Sequence, residues 1–245
     1  LNVYGGSYII PSEDMSVFMN LYYQHVFKNK NAEYLTEKQL QETGGILIDV
    51  DLRYSHDVDK RLHTKEHITD LISLLYLEEL KKLFVFDAKK TFPIYVFEKP
   101  NVNRLEDGSL TKDGIHIIIG IQTDHILQMM LRDKIVENIK DIWELPIINS
   151  WDSVFDEGIS KGTTNWQMYG SRKPGNQAYE LTQYYIISYD GADGEFMMEE
   201  HAPSSIDLSK DLFTLSAQYN NHQQFDIHPN IKDEFNKRKN ASKSG

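Results

Sequence analysis

The chain has 245 residues, 40% hydrophobic and 11% aromatic, enough for one large domain or two small ones and too apolar for a disordered chain. Its net charge of −11 argues against tight, general binding to nucleic acid, because cations that neutralise phosphates supply most of that affinity. There is no cysteine, which excludes disulfides, cysteine-based zinc sites and a cysteine nucleophile, and fits an intracellular protein. No apolar run approaches the roughly 18 residues of a membrane helix, so we expect no membrane partner.

Apolar spacing and breaker residues predict helices and strands interspersed along the chain. In chain order we expect a helix at 12–26, a strand at 46–52, a helix at 64–83, a strand at 92–97, a mobile polar loop at 101–114, a strand at 115–121, a helix at 123–143 capped by Thr123 or Asp124, and strands at 165–169 and 181–189. Such a mixture indicates an α/β or α+β fold.

The end of the chain has a different composition. One more helix is expected around 212–219, and from residue 220 the chain is rich in Asn, His, Gln and Lys, which is typical of a linker. We therefore divide the chain into a domain at 1–205 and a C-terminal helix and linker at 206–245. Because the first residue is Leu1 and not Met, we interpret the chain as a piece of a longer protein.

Two carboxylates follow a buried strand. Asp49 and Asp51 end the run Gly-Gly-Ile-Leu-Ile-Asp-Val-Asp, and residues i and i+2 of a strand point to the same face. Acids at the end of a buried strand usually have a partner, and paired carboxylate oxygens suit divalent cations. The sequence therefore predicts a metal site here, although two solvated acids are the alternative.

A histidine lies on the apolar strand predicted at 115–121. His116 follows Lys112 and Gly114, and glycine permits close approach of a ligand to the backbone. An imidazole N–H can donate to a phosphate oxygen, but a histidine among isoleucines is often a satisfied core residue. Both interpretations stay open from the residues alone.

The third fragment combines an acid with a basic window. Asp156 is followed, from residue 158 to 179, by a stretch without any acid that contains Lys161, Arg172 and Lys173. An acid-free basic stretch in an acidic protein is a candidate anion site, because arginine offers a bidentate fork and lysine a point charge. A solvated turn is the alternative for Arg172 and Lys173.

Other patterns carry less weight. The chain lacks the phosphate-binding loop of nucleotide-hydrolysing P-loop proteins. Residues 158–162 match the Gly-x-Ser-x-Gly pattern of hydrolases, but the flanking residues favour a flexible loop. His63 and His67 are four residues apart and are interpreted as surface residues.

Taken together, these fragments resemble the archaeo-eukaryotic primase superfamily, specifically the N-terminal primase-polymerase domain of primase-helicases from nucleocytoplasmic large DNA viruses. The resemblance covers about Val3 to Tyr189. It rests on the order of the acidic pair Asp49-Val50-Asp51, Gly114-Ile115-His116, Phe155-Asp156, and the segment Tyr169-Gly170-Ser171-Arg172-Lys173. Gly114 stands where many relatives have serine, which removes one hydroxyl from the phosphate site.

The resemblance implies an N-terminal α/β unit and a unit like an RNA-recognition fold, with the active site in the cleft between them. It also implies template-directed nucleotidyl transfer with two Mg²⁺ or Mn²⁺ ions, at a viral replication site in the infected cell. The implied partners are a single-stranded DNA template, nucleoside triphosphates and a helicase region of the same longer chain. The implied metal ligands and catalytic acids are Asp49, Asp51 and Asp156; His116 is also catalytic and, with Lys112, Ser171, Arg172 and Lys173, binds the triphosphate.

Two other functions stay open. A metal-dependent nuclease uses similar Asp, His and Lys sets. A non-catalytic module that binds single strands would use Trp166, Tyr169 and Tyr184 to stack on bases. A bulky residue near the acidic pair, for example Tyr54, is a candidate for distinguishing ribose from deoxyribose.

Overall fold

The computed structural model describes residues 5–245; residues 1–4, where the resemblance begins, lie outside this range. The chain folds around one main sheet in which the strands follow the order β2-β6-β4-β8-β9, with β5 pairing with β6, and all pairs are antiparallel. Two short antiparallel pairs, β1 with β7 and β10 with β3, lie outside this sheet. The strands are β1 Thr36–Glu37, β2 Ile46–Tyr54, β3 Phe84–Val85, β4 Phe92–Glu98, β5 Asn103–Arg104, β6 Thr111–Ile119, β7 Trp166–Gln167, β8 Glu180–Asp190, β9 Glu195–His201 and β10 Asp226–Ile227.

Helices cover much of the sheet. They are α1 Met15–Tyr22, α2 Lys65–Asp70, α3 Leu77–Leu83, α4 His125–Asn138, α5 Trp151–Val154, α6 Glu157–Lys161, α7 Leu208–Asp211 and α8 Pro229–Ser244. A π-helical turn extends α1 to residue 28, and another joins α2 to α3. Short 3-10 turns lie at 12–14, 139–141, 203–205 and 212–215. No helix in the described part of the chain is long and apolar enough to cross a bilayer.

The two faces of the sheet have different neighbours. Alternate residues of β2, such as Val50 and Leu52, belong to a large core together with residues of α2, α3 and α4. The opposite face carries Leu47, Ile118 and Phe97 in a smaller core together with Trp166 and residues 206–217. Asp49 and Asp51 share the face of Leu47 by strand alternation, so we call this the site face. The other is the helix face.

Most predicted elements are confirmed, and so is the predicted α+β class. The helix predicted at 64–83 is continuous from 65 to 83, and Thr64 caps it in a reciprocal capping box with His67. Of the two cap candidates for α4, Asp124 provides the cap, because its carboxylate accepts from the Ile126 amide at 2.8 Å.

Three local predictions are wrong. Part of the predicted loop 101–114 is strand, because residues 103–104 belong to β5 and residues 111–114 to β6, and β6 pairs with both β5 and β2. Residues 158–162 are not a loop but form most of helix α6 and its left-handed end at Gly162. His63 is not a surface residue, because its ring is enclosed and binds Glu98 at 2.8 Å.

The C-terminal segment is also more ordered than expected. The residues predicted as a linker contain β10 and the 16-residue helix α8. Phe235 of α8 is buried against the large core, and the Lys239 ammonium binds Asp124 at 3.0 Å and Glu42 at 3.2 Å. The composition did not predict this helix because only two residues, the buried Phe235 and the ion-paired Lys239, hold an otherwise polar segment in place. The division at residue 205 stays a prediction.

Candidate active site

The acidic pair lies on β2 beside the histidine of β6. In the antiparallel register Asp49 is opposite His116 and Asp51 is opposite Gly114, so all four positions share the site face. The His116 Nε2 atom lies 3.4 Å from the Asp49 carboxylate. The register thus joins two of the predicted fragments, which are more than sixty residues apart in the chain.

The surroundings keep Asp49 ionised. Burial raises the pKa of its carboxyl, but His116, Lys173 and Lys112 outweigh burial and hold the pKa below its usual range. The Asp51 carboxylate instead pairs with the Arg53 guanidinium, which contacts it at 2.9 and 3.0 Å. Asp49 is therefore the carboxylate that faces the histidine and the lysines, while Asp51 has a cation of its own.

Asp156 joins the acidic pair through the main chain. Its amide donates to the Asp49 carbonyl at 3.0 Å, next to a bridge between Val50 and Phe155. One oxygen of the Asp156 carboxylate accepts from the Ile159 amide at 2.8 Å and so caps helix α6. The third predicted acid thus lies beside the first two, with one oxygen already used locally.

His116 lies between two aromatic rings. The Tyr179 ring stacks on the imidazole with centroids 3.7 Å apart and planes 15° apart, and the Trp166 ring lies on the other side at 4.4 Å. Only the edge of the imidazole is therefore accessible, and one edge atom faces Asp49. A small pocket opens beside this stack, lined in part by Gln167 and Tyr169.

Gly114 makes room for Tyr179. A Cβ atom at position 114 would lie 2.1 Å from the Tyr179 hydroxyl oxygen, which is far inside contact distance. The Tyr179 hydroxyl thus occupies the space that a side chain at 114 would fill. Burial raises the pKa of Tyr179 well above its ordinary value, and the charges of Asp49 and Asp51 add to that, so the phenol is neutral.

Three lysines from separate elements converge on this region. Lys112 is on β6, Lys99 follows β4, and Lys173 is in the turn after β7. Lys112 and Lys173 lower the pKa of both Asp49 and Lys99, so the three lysines lie close to the acidic pair and to one another. Within residues 5–245, none of the three ammonium groups has a carboxylate within ion-pair distance, although ten other lysines and arginines do.

The remaining predicted phosphate ligands have different positions. The Ser171 hydroxyl is buried and bonds the Tyr22 hydroxyl at 2.8 Å, while the latter donates to the Tyr169 carbonyl at 2.7 Å. The Arg172 amide donates to the Glu33 carbonyl at 2.9 Å, and its side chain is half-buried. The structure therefore brings Lys173 to the acidic pair, whereas the Ser171 hydroxyl stabilises the turn through its hydrogen bond with Tyr22. The roles of Ser171 and Arg172 stay predictions.

Tyr54 does not lie near the site. Its side chain is fully buried on the helix face, because it alternates with Arg53 on β2. It is therefore in no position to touch a sugar at Asp49. The residues that the sequence analysis missed are Lys99, Tyr179 and Arg61. Strand alternation from Phe97 gives the one usable signal, since it places Lys99 on the site face.

The donor set can be compared with what a divalent ion needs. Within the described residues, no three His, Cys, Asp or Glu side chains are gathered closely enough to hold a metal ion. Asp49 and Asp51 nevertheless offer oxygen donors on one face, and Mg²⁺ is commonly held by one or two carboxylates plus substrate phosphates. The acidic pair therefore fits an ion that binds together with a triphosphate, in competition with Arg53.

Comparison with known proteins identifies the family of this chain. The family model described as the C962R protein N-terminal AEP domain, where AEP denotes archaeo-eukaryotic primase, matches residues 1–185. The chain belongs to this family of primase domains.

A particular relative is a protein of Acanthamoeba polyphaga mimivirus named "Putative helicase L207/L206". It is 33% identical to this chain over 187 residues, which cover 75% of the chain and 19% of the relative. The chain thus spans about one fifth of that protein's length.

Proposed function

We propose that this chain is the catalytic domain of a viral primase-polymerase, which joins nucleotides on a single-stranded DNA template during viral DNA replication. One observation carries the proposal: an acidic pair whose Asp49 is kept ionised, a histidine fixed between two rings and three lysines without carboxylate partners meet on one sheet face. Carboxylates beside unpaired cations are what a metal-bound nucleoside triphosphate requires.

Each side chain has a defined task in this mechanism. The carboxylates of Asp49 and Asp51, with Asp156 beside them, would hold Mg²⁺ or Mn²⁺. Bound there, such ions would supply Lewis acidity to the attacking 3′-hydroxyl and positive charge to the leaving pyrophosphate. The Lys112 and Lys173 ammonium groups bind the triphosphate and offset the charge that develops as the bond to pyrophosphate breaks. The His116 imidazole, fixed by stacking, presents its edge to the phosphates as a hydrogen-bond donor.

The wider setting follows from the relative. Because the mimivirus protein is named a helicase and is about five times longer than the matched region, we propose that this domain works joined to a helicase region of a longer chain. That region would supply template affinity, which an acidic domain lacks. On the same grounds we propose that the protein works at the viral replication site inside the infected cell.

The alternatives make different use of the same residues. A base-stacking module is weakened by the burial of Trp166, whose ring packs against His116 and has no face free for a base. A nuclease does not bind a triphosphate, so its reaction does not account for three unpaired lysines converging at one site. Tight binding of a triphosphate, compared with a monophosphate, therefore separates polymerase from nuclease.

The deciding experiment is synthesis on a single-stranded template with labelled nucleotides and Mg²⁺ or Mn²⁺, with and without a primer. Asp49→Ala should abolish product while its thermal unfolding stays close to that of the wild type. Asp59→Ala, which changes an exposed acid outside the site, should keep full activity. Product without a primer makes the domain a primase. If a folded wild-type domain yields no product with either metal, alone or fused to its helicase region, the proposal is wrong.

A further inference from the structure

We propose that Lys99 is a third triphosphate-binding residue of this site and that Arg61 positions it from the opposite face of the sheet. The inference rests on the proposed function and adds two residues that neither the motifs nor the family match single out. It also specifies how many phosphate groups the ligand carries, because three convergent ammonium groups fit a triphosphate better than a single phosphate.

Strand alternation and stacking place Lys99 in the site. Phe97 of β4 is opposite His116 of β6, and Lys99 lies two residues further along, on the same face. The Lys99 ammonium is 5.2 Å from the centroid of the Tyr179 ring, which is itself stacked on His116. A column of Lys99, Tyr179, His116 and Trp166 thus stands beside Asp49.

The electrostatics of Lys99 fit an anion site. Its pKa is lowered, first by burial and then by the positive charges of Lys173 and Lys112. A half-buried lysine that faces other positive charges is destabilised unless a counter-ion joins them. Within the described part of the chain, no carboxylate lies within 4 Å of these ammonium groups, and the attraction of Asp49 and Asp113 offsets the repulsion only in part. A bound polyanion removes that cost.

Arg61 holds the backbone on which Lys99 stands. Its guanidinium donates to the Lys99 carbonyl at 2.7 Å and forks onto the Asp113 carboxylate at 2.8 and 2.9 Å. It also contacts Glu98 at 3.4 Å. Asp113 and Glu98 point to the helix face, because each is one residue from a site-face position. One side chain therefore ties the end of β4 to β6 directly behind the site.

The arrangement explains why an arginine is needed there. Three simultaneous acceptors, two of them on one carboxylate, match the planar fork of a guanidinium and exceed what a lysine ammonium reaches from one position. His63 completes the group by bonding Glu98 at 2.8 Å, and Thr182 donates to the other oxygen of Glu98 at 2.7 Å. Arg61 touches no substrate in this scheme; it acts through the position of Lys99 and of the Lys112–Gly114 segment.

The test is equilibrium binding of a fluorescent deoxynucleoside triphosphate, its diphosphate and its monophosphate to the folded domain, with Ca²⁺ replacing Mg²⁺. Lys99→Gln should weaken triphosphate binding about tenfold to a hundredfold, the size of one lost charged hydrogen bond, and weaken monophosphate binding far less. Lys140→Gln, at an exposed lysine on the 3-10 turn 139–141, should bind like the wild type.

Arg61→Lys keeps the charge and should weaken triphosphate binding several-fold, with a matching rise in KM and little change in kcat. A purely stabilising role would lower the fraction of binding-competent protein without changing the affinity of that fraction. Thermal unfolding of each variant, measured in parallel, separates the two effects.

The outcomes are distinguishable from those of the proposed function. If the wild type binds no triphosphate, the proposed function itself fails. If the wild type binds and Lys173→Gln does not, while Lys99→Gln binds normally, the site is right and the role of Lys99 is overturned. Unchanged affinity in Arg61→Lys overturns the role of Arg61 alone.

Discussion

At the residue scale, the contact between Gly114 and Tyr179 controls how His116 is held. Because the phenol oxygen fills the place of a side chain at position 114, the stack on the imidazole depends on the absence of that side chain. Glycine is thus required here by close approach of another residue, while its backbone angles are ordinary for a strand.

We therefore expect Gly114→Ala to lower stability by about 1–3 kcal/mol, the usual cost of overpacking, and to reduce synthesis by displacing Tyr179. Tyr179→Phe removes the clashing oxygen, so the double variant should recover much of the loss. A double-mutant cycle on thermal unfolding and on activity measures this coupling. Gly191→Ala, where the nearest atom is 3.9 Å from the added carbon, is the matched control. Strictly additive effects would contradict the packing argument.

A second residue-scale prediction concerns a buried acid away from the site. The Glu37 carboxylate accepts from the Ser216 hydroxyl at 2.5 Å and from the Ala217 amide at 2.9 Å, and so ties β1 to the segment that covers the site face. Burial raises its pKa from 4.5 to about 7, although both hydrogen bonds lower it. The folded state therefore holds a proton that the unfolded state releases above about pH 4.5.

The protonated Glu37 side chain contributes roughly 3 kcal/mol to the free energy of unfolding below pH 4.5, and this contribution is lost as the pH rises towards 7. His222 acts in the opposite direction, because burial lowers its pKa from 6.5 to about 4 and favours the neutral form. We therefore compare wild type with Glu37→Gln by chemical unfolding between pH 4.5 and 7.5. The wild type should lose more stability than the variant over this range. Parallel curves would show that Glu37 does not titrate there.

At the element scale, helix α8 is part of the folded body. Phe235 is buried in the large core, and Lys239 binds the carboxylate that caps α4, so the two helices are held at their ends. A polar helix of this composition gains little from intrinsic propensity, and its stability has to come from such contacts.

Phe235→Ala should therefore lower the free energy of unfolding by about 3 kcal/mol, in the usual range for a buried phenylalanine. Lys237→Ala, at an exposed position of the same helix, should change it by less than about 0.5 kcal/mol. Urea unfolding of both variants provides the comparison. If the segment behaves as a linker, Phe235→Ala will unfold like the wild type.

At the scale of the whole molecule, charge limits how this domain holds nucleic acid. The net charge is −11, and the unpaired lysines that converge on the site number three. An extended basic groove is therefore not expected on this chain, and a single strand bound in the absence of a triphosphate should make no more than about three phosphate contacts.

Each contact with a single strand contributes about 0.7 to the slope of log affinity against log salt, so the slope should be about −2. Between 50 and 200 mM salt the affinity should then fall by roughly tenfold to twentyfold. Fluorescence anisotropy of a labelled single strand measures this directly. A slope of about −5 or steeper would reveal a basic surface larger than the site.

The sequence by itself determined the elements and the acidic pair. Alternation along β2 placed Asp49 and Asp51 on one face, helical spacing located the helix at 65–83, and the order of motifs indicated the primase family, which the family match confirms. These features depend on neighbours within a single strand or helix, so the local pattern is sufficient to predict them.

Only the tertiary structure decided which other side chains meet there. Lys99, Tyr179 and Arg61 come together with His116 through the pairing of β4 with β6 and the return of the chain before β8, and no local pattern encodes that register. The burial of His63 and the docking of Phe235 are of the same kind, because each depends on a partner from a distant element. Lys99, Lys112 and Lys173 come from separate elements, and they meet at one site only because the sheet and its turns pack together.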